Sequence, residues 1–387
     1  MVVRPSPLLS PTQRLIVLSF LVDAGVACLQ LVVQLRALQL GAPALMSGLL
    51  GMAGFLLYVP VCLVAGRVCD RLGRRPVALT SCLVCLLSSV AMWRATAPEQ
   101  LLVWSTVSGA GLGLMWPPVQ AWLGDLCGDD GRLLNRTLGY FNIAWTAGLM
   151  VGPLAGGPAW EHWRVQAFVL PVATGMLSLL AVLLTPAGRH HEANEAPPPV
   201  VEPRLVLAFM LMAWIAVFAT SFARGMMAAM FPRIGEALTF SPTVVGRIMA
   251  VGGAAQLLAF VVTGASARWQ YRRGPLLGVV ALALGGQLLG QFTSSSWLFA
   301  LSFFVVGAAT SLTFVSGITY ALHYSAAGRG LRAGIHEAVI GAGLVLGPLA
   351  GGLAGQYLGL RAPFGAGAAV CALALIAQLC VIPPRAR

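Results

Sequence analysis

Charge is scarce in this sequence. Only 9% of its 387 residues are Asp, Glu, Lys or Arg, and 58% are hydrophobic, whereas soluble domains carry about 25% charged residues. That scarcity excludes a water-soluble enzyme, and no polar stretch is long enough for a separate soluble domain. Lysine is absent altogether: all 24 basic residues are Arg. Neither His-Glu-x-x-His nor Gly-x-Ser-x-Gly occurs, so an intramembrane hydrolase is not expected. Gly109, Gly111 and Gly113 are not a dinucleotide loop, because no strand precedes them and no acidic residue follows at the right place. No ATP motif is present, so active work on a solute would draw on a gradient, and no cofactor is expected. His190 and His191 have no third ligand nearby, so no metal site is expected either. The first apolar run is too long for a cleavable signal and lacks a small-residue cleavage site; it is expected to direct insertion itself.

What the sequence has is long apolar runs. A helix needs roughly 20 mostly apolar residues to cross the hydrocarbon core. Twelve segments qualify: 14–36, 43–65, 76–97, 99–123, 136–158, 165–185, 205–231, 242–265, 275–293, 297–322, 333–357 and 362–383. The expected class is an all-α membrane protein whose surroundings are the lipid bilayer. A net charge of +12 would suit nucleic acid, but its distribution excludes that partner. With the N-terminus inside, Arg4, Arg14, Arg67, Arg71, Arg74, Arg75, Arg132, Arg136, Arg189, Arg204, Arg268, Arg272, Arg273, Arg329, Arg332, Arg385 and Arg387 share one side of the membrane. Only Arg36, Arg94, Arg164, Arg233 and Arg361 fall on the other. Basic residues in short loops stay cytoplasmic, so both termini are expected in the cytoplasm of a cell (inner) membrane. Residues 187–204 are polar and Pro-rich and read as a cytoplasmic linker between bundles at 1–186 and 205–387. The eight Cys sit mostly inside spans, and Cys82 and Cys85 are expected to pack as small hydrophobes.

Between the second and third spans runs Gly66-Arg-Val-Cys-Asp70-Arg71-Leu-Gly73-Arg74-Arg75. Residues 44–65 and 76–91 on either side carry no charge, so this loop turns the chain at a membrane face. Gly66 and Gly73 permit close approach and a tight turn. Asp70 is placed to cap a neighbouring helix N-terminus, where its charge is favoured, and Arg74 to pair with Asp125. The pattern Gly-x-x-x-Asp-Arg-x-Gly-Arg-Arg resembles the loop joining helices 2 and 3 in transporters of the major facilitator superfamily. The resemblance implies twelve transmembrane helices in two pseudo-symmetric six-helix bundles. It also implies that Gly66, Asp70, Arg71, Gly73, Arg74 and Asp125 form a cytoplasmic gate, clamped in the outward-open state.

The fifth span carries Gly148-Leu-Met-Val-Gly152-Pro153-Leu-Ala-Gly156-Gly157. Small residues four apart let helix backbones touch, and Pro153 permits a bend. The run is similar to the superfamily's antiporter signature, which implies an exporter. Many proton antiporters of the superfamily carry an Arg where Ser105 stands, and this chain departs from them there. The second half repeats the first. Gly48 and Gly66 recur as Gly246 and Gly264 at an offset of 198, which matches Tyr58 with Gln256. Gly152 to Gly157 recur unchanged from Gly347 and Pro348 to Gly352 at an offset of 195. The second copy of the loop is degenerate, with Arg268 where Asp70 would fall.

Polar residues cluster on particular faces. Asp23, Gln30 and Gln34 share one side of the first span. Asp23 lies nine residues past Arg14, or about 13 Å into a core of about 30 Å. An ionisable group at that depth is costly and is by default a functional candidate. The other candidates for a central cavity are Tyr58, Ser105, Trp116, Gln120, Asn142, Trp145, Arg224, Gln256, Thr313 and Tyr320. Arg247 is a weaker one. Met226, Met227 and Met230 offer a surface that adapts to apolar ligands. Glu337 is expected to pair with Arg329 or Arg332, or to sit near the 66–75 loop.

Such stripes are intolerable facing lipid and are satisfied around one cavity between two rocking bundles. The leading expectation is a monomeric, proton-coupled exporter of small amphiphilic compounds by alternating access, with Asp23 exchanging proton for substrate. An importer or facilitator of a polar metabolite, a sugar or organic anion, is the alternative. A non-transporting membrane sensor is the third reading.

Overall fold

The computed structural model describes residues 9–128, 130–187, 201–324 and 329–381. The linker residues Arg189, His190 and His191, and the terminal Arg4, Arg385 and Arg387, lie outside the described residues. The described chain holds fourteen α-helices and no strand. The first half comprises α1 (Pro11–Gln39), α2 (Ala44–Leu56), α3 (Tyr58–Leu72), α4 (Arg74–Arg94), α5 (Pro98–Gly113), α6 (Trp116–Cys127), α7 (Gly131–Trp163) and α8 (Val169–Leu184). The second comprises α9 (Pro203–Ala237), α10 (Pro242–Gly264), α11 (Arg273–Phe292), α12 (Ser296–His323), α13 (Arg329–Tyr357) and α14 (Ala362–Cys380).

Local chemistry sets the ends. Ser10 and Gln13 form a reciprocal capping box at α1, and Asp130 accepts from the Arg132 and Leu133 amides at α7. Each satisfies amides that a helix start leaves open. Among the described residues, ten runs are long and apolar enough to cross a membrane; twelve were expected. Two places account for the difference. The fourth expected span is broken at Leu114 and Met115, ahead of Pro117 and Pro118, and neither piece is long enough alone. The fifth and sixth are joined through a tight 3-10 turn at Arg164–Phe168 into one run of 53 residues. The second span is also in two pieces. Pro60 has no amide to bond and its ring crowds the carbonyl of Leu56, so the helix is interrupted at Leu57.

The charged 66–75 segment differs from the open loop expected. Helix α3 continues through Arg67, Asp70 and Arg71 to Leu72, and α4 starts at Arg74. Only Gly73, at φ +87°, turns the chain, in a conformation that side chains disfavour. A helix past the hydrocarbon edge can keep its internal bonds in water, so charge there does not end it.

Both halves are built on the same backbone contacts. A Cβ added at Gly148 would fall 2.5 Å from the Phe20 carbonyl oxygen, and one at Gly343 would fall 2.8 Å from that of Phe218. Thus α7 lies on α1 as α13 lies on α9. Between the halves, Gly48 of α2 faces Gly352 and the Pro348 carbonyl of α13, while Gly246 of α10 faces Gly157 and the Pro153 carbonyl of α7. Lipid tails are as apolar as Leu, so such close backbone packing, rather than hydrophobicity, drives helix association in a bilayer.

Candidate functional site

One cavity of about 380 Å³ lies between the halves. Helix α1 contributes Asp23, Gln30 and Gln34, α3 Tyr58, α5 Ser105, and α6 Trp116 and Gln120. From α7 come Asn142 and Trp145, from α9 Arg224, from α10 Gln256, from α12 Thr313, and from α13 Pro348.

Asp23 and Arg224 line the cavity from opposite halves. Asp23 is 7% exposed, and its Oδ2 has no hydrogen-bond partner among the described residues. Arg224 of α9 is within electrostatic reach, so the pair spans the two halves. Tyr58 lies within reach of both Asp23 and Glu337.

The neutral groups are tied more firmly. Gln34 Nε2 donates to the Ser47 carbonyl at 2.9 Å. Trp145 Nε1 donates to Asn142 Oδ1 at 3.0 Å, which fixes the indole beside Phe260 and Phe314. Thr313 and Thr220 share a hydroxyl bond of 2.9 Å, and Ser105 rests against the Met92 sulfur. Trp116 stands edge-on to Phe141 at 5.8 Å.

Tyr320 is not in the cavity. It is fully buried, accepts the Tyr271 amide at 2.9 Å and packs against Phe209, Trp269 and Tyr271. Seven residues beyond Thr313 on the same helix is about 10 Å further along. That carries Tyr320 past the cavity to where the 265–272 segment folds over α12. Arg247 is exposed and outside the cavity. Met226, Met227 and Met230 are buried in the second half, against Gly351, Gly355 and Gln287, so they form no adaptable wall.

Glu337 was expected to pair with Arg329 or Arg332, or to sit near the 66–75 loop; the Arg329 side chain lies outside the described residues. Glu337 lines the cavity and makes no ion pair among the described residues. Arg332 is occupied elsewhere: its Nε donates to the Ala321 carbonyl at 2.9 Å and its guanidinium lies over the Tyr324 ring. Glu337 sits eight residues into α13, about 12 Å by helical rise. The depth that singled out Asp23 would have singled it out too. The aromatic walls Phe55, Phe141 and Phe314 carry no sequence signal beyond hydrophobicity.

At the end bearing the termini, Arg74 bridges Asp70 at 3.0 Å and Asp125 at 3.3 Å. Asp70, near the end of α3, therefore binds Arg74 at the start of α4 across the Gly73 turn rather than capping another helix. Arg71 is exposed, and Gly66 has open space around it. At the far end the halves meet through side chains. Arg233 Nε donates to Ser47 Oγ at 3.3 Å, and its Nη2 to the Ala42 carbonyl. Glu161 accepts the Thr243 amide at 3.0 Å and Gln356 the Leu45 amide at 3.4 Å. Among the described residues, every side-chain hydrogen bond between the halves lies at that far end. Leu63 and Gly334 line the cavity on the side of the termini.

A tetracycline resistance protein of class C from Escherichia coli is 29% identical over 248 residues, 61% of each chain. One of class G from Vibrio anguillarum is 27% identical over 253 residues, 63% of each. The chain thus matches about three-fifths of the length of these relatives. Among solved structures, the nucleoside transporter NupG superposes with a TM-score of 0.76 at 13% identity, covering 97% of this chain and 100% of that one. A bacterial homologue of the human lysosomal transporter Spinster gives 0.72 at 14% identity, over 96% of both. The family model described as Major Facilitator Superfamily matches residues 15–215 and again 213–387. A match over both halves, on an almost wholly helical fold with a cavity between its halves, makes this multi-pass membrane protein a member of the Major Facilitator Superfamily.

Proposed function

We propose that this chain is a twelve-span, proton-coupled exporter of small amphiphilic compounds that works by alternating access, as a monomer in the cell (inner) membrane with cytoplasmic termini. Residues 1–186 and 205–387 are the two bodies that rock. The observation that carries the reading is Asp23. A buried carboxylate with an oxygen unpartnered among the described residues lies within electrostatic reach of a guanidinium from the opposite half, and both line a cavity with aromatic walls. Ionisable groups at such depth are expensive and mark proton and substrate paths. Their similarity to tetracycline resistance proteins supports export.

In this reading the structure faces inward, since the halves are bonded at the far end and the cavity reaches towards the termini. Ionised Asp23 is held by Arg224 across the halves. A proton on Asp23 cancels that attraction, so protonation loosens the tie between the halves. Arg74, Asp70 and Asp125 act as the gate that regroups when the near end closes. The test is Asp23→Asn in proteoliposomes with an imposed pH gradient. Gradient-driven movement of a fluorescent amphiphile should fall by about tenfold or more, and unchanged pH-dependent transport would overturn the assignment.

The amide-rich side of the cavity favours a second reading. Gln30, Gln34, Gln120, Asn142 and Gln256 could bind a polar metabolite by hydrogen bonds, as in an importer or facilitator. Uptake of a labelled sugar or organic anion that survives collapse of the proton gradient would establish it.

A further inference from the structure

Three charged side chains line the cavity among the described residues: Asp23, Arg224 and Glu337. Asp23 and Arg224 interact with each other, and among the described residues Glu337 makes no ion pair. Its sequence neighbour His336 does not supply a countercharge. That ring is fully buried against Gly317 and Phe314, with both nitrogens unpartnered. Arg332, one turn earlier, is directed to Ala321 and Tyr324. Tyr58 and Cys62 of α3, the groups within electrostatic reach of Glu337, carry no positive charge.

The surroundings suit a cation with an apolar body. Tyr58 stands edge-on to Phe55 at 6.0 Å, and both line the cavity. Trp145 and Phe314 meet on the other side, with ring centres 6.2 Å apart. Aromatic faces attract cations, more strongly where water is excluded. A carboxylate that shares the cavity with such rings and makes no ion pair among the described residues lacks only a positive ligand group.

We propose that Glu337 is the subsite for the positive charge of the cargo, which is therefore an amphiphilic monocation with an amine- or onium-type centre. The two carboxylates divide the work between the halves: Asp23 on α1 takes the proton, and Glu337 on α13 takes the cargo's charge. The inference rests on the transporter reading above and names the charge class of its substrate.

The test uses the purified full chain in detergent micelles at fixed pH, with no gradient, so it does not depend on proton coupling. Two probes are compared by equilibrium dialysis against protein-free micelles: tetraphenylphosphonium, a cation, and triphenylphosphine oxide, its neutral counterpart. The unaltered chain should bind the cation more tightly than the neutral probe. Glu337→Gln should weaken the cation by about tenfold or more while changing the neutral probe little. Glu337→Asp should keep the preference and so separate loss of charge from damage to the fold. No preference in the unaltered chain, or an equal loss of both probes in Glu337→Gln, overturns the proposal. Proton coupling fails independently, in the Asp23→Asn transport assay alone.

Discussion

The two halves can be compared residue by residue, because their backbones touch at matched positions. Gly148 meets Phe20 and Ala24, and Gly343 meets Phe218 and Phe222. The same offsets of 198 and 195 place Asp23 opposite Ser221 and Asn142 opposite Glu337. All four line one cavity. Each half therefore holds one carboxylate, but on different members of the matched helix pair: the first helix of the first half and the fifth of the second. The glycine contacts are duplicated while the charges are not. Packing constrains backbone approach and tolerates little change, whereas a cavity wall tolerates any side chain that fits. The scaffold is thus the shared part, and the difference between the halves is where function resides.

The comparison is broken most severely at the glycines. Gly148→Ala and Gly343→Ala each drive a methyl group into a neighbouring helix backbone, and overpacking of this kind costs about 1–3 kcal/mol. Both should lower the thermal unfolding temperature of the purified chain by similar amounts. Gly264→Ala, with open space around it, should change it little. A large difference between Gly148→Ala and Gly343→Ala would show that the halves are not equivalent scaffolds.

Next in size is a transfer of charge. The double variant Asp23→Asn with Ser221→Asp moves the carboxylate to the matched position, one helical turn before Arg224. If proximity to Arg224 is what matters, gradient-driven transport should recover to within about tenfold of the unaltered chain. No recovery would show that the first half is required for more than its charge.

The proposed gate offers a smaller contrast. Arg74 links Asp70 and Asp125, whereas Arg272, its match at the same offset, is exposed with no acidic partner among the described residues. Arg74→Ala should slow transport a few-fold and Arg272→Ala hardly at all, measured by initial rates. Equal effects would mean that bulk positive charge, rather than the bridge, is the working feature.

How much of this was legible beforehand follows from the same physics. Helix extents came within a few residues for most spans, because uncharged runs have sharp ends. Exceptions are α3, which continues past residue 65 to Leu72, and α9, which continues past residue 231 to Ala237; beyond the hydrocarbon, apolarity no longer reports helix. Most of the expected cavity residues do line it, because a shared helical face is visible in spacing alone. Tyr320 does not, because spacing fixes the face and not the depth at which a cavity closes. The Met226–Met230 cluster failed for a related reason: α9 is buried nearly all round, so composition could not say which side meets the cavity. For Glu337 the sequence offered two neighbouring arginines as partners; the fold shows Arg332 turned to α12, and the Arg329 side chain lies outside the described residues.

The finest contrast lies at the far end. Thr243 and Leu45 are matched second residues of α10 and α2. Their amides reach across the halves to Glu161 and Gln356, which are matched at the ends of α7 and α13. One latch has a carboxylate at a helix N-terminus, where negative charge is favoured; the other has a neutral amide at a longer distance. Glu161 is exposed, so solvent screens much of the difference. Glu161→Gln should make the two latches alike and increase the population opened at the far end by roughly twofold, with Gln356→Glu acting in the opposite sense. Distance distributions between spin labels at the far ends of α7 and α10 would register the change. If Gln356→Glu opens that end while Glu161→Gln leaves it shut, the carboxylate is not the stronger latch, and the symmetry between these contacts is one of backbone position alone.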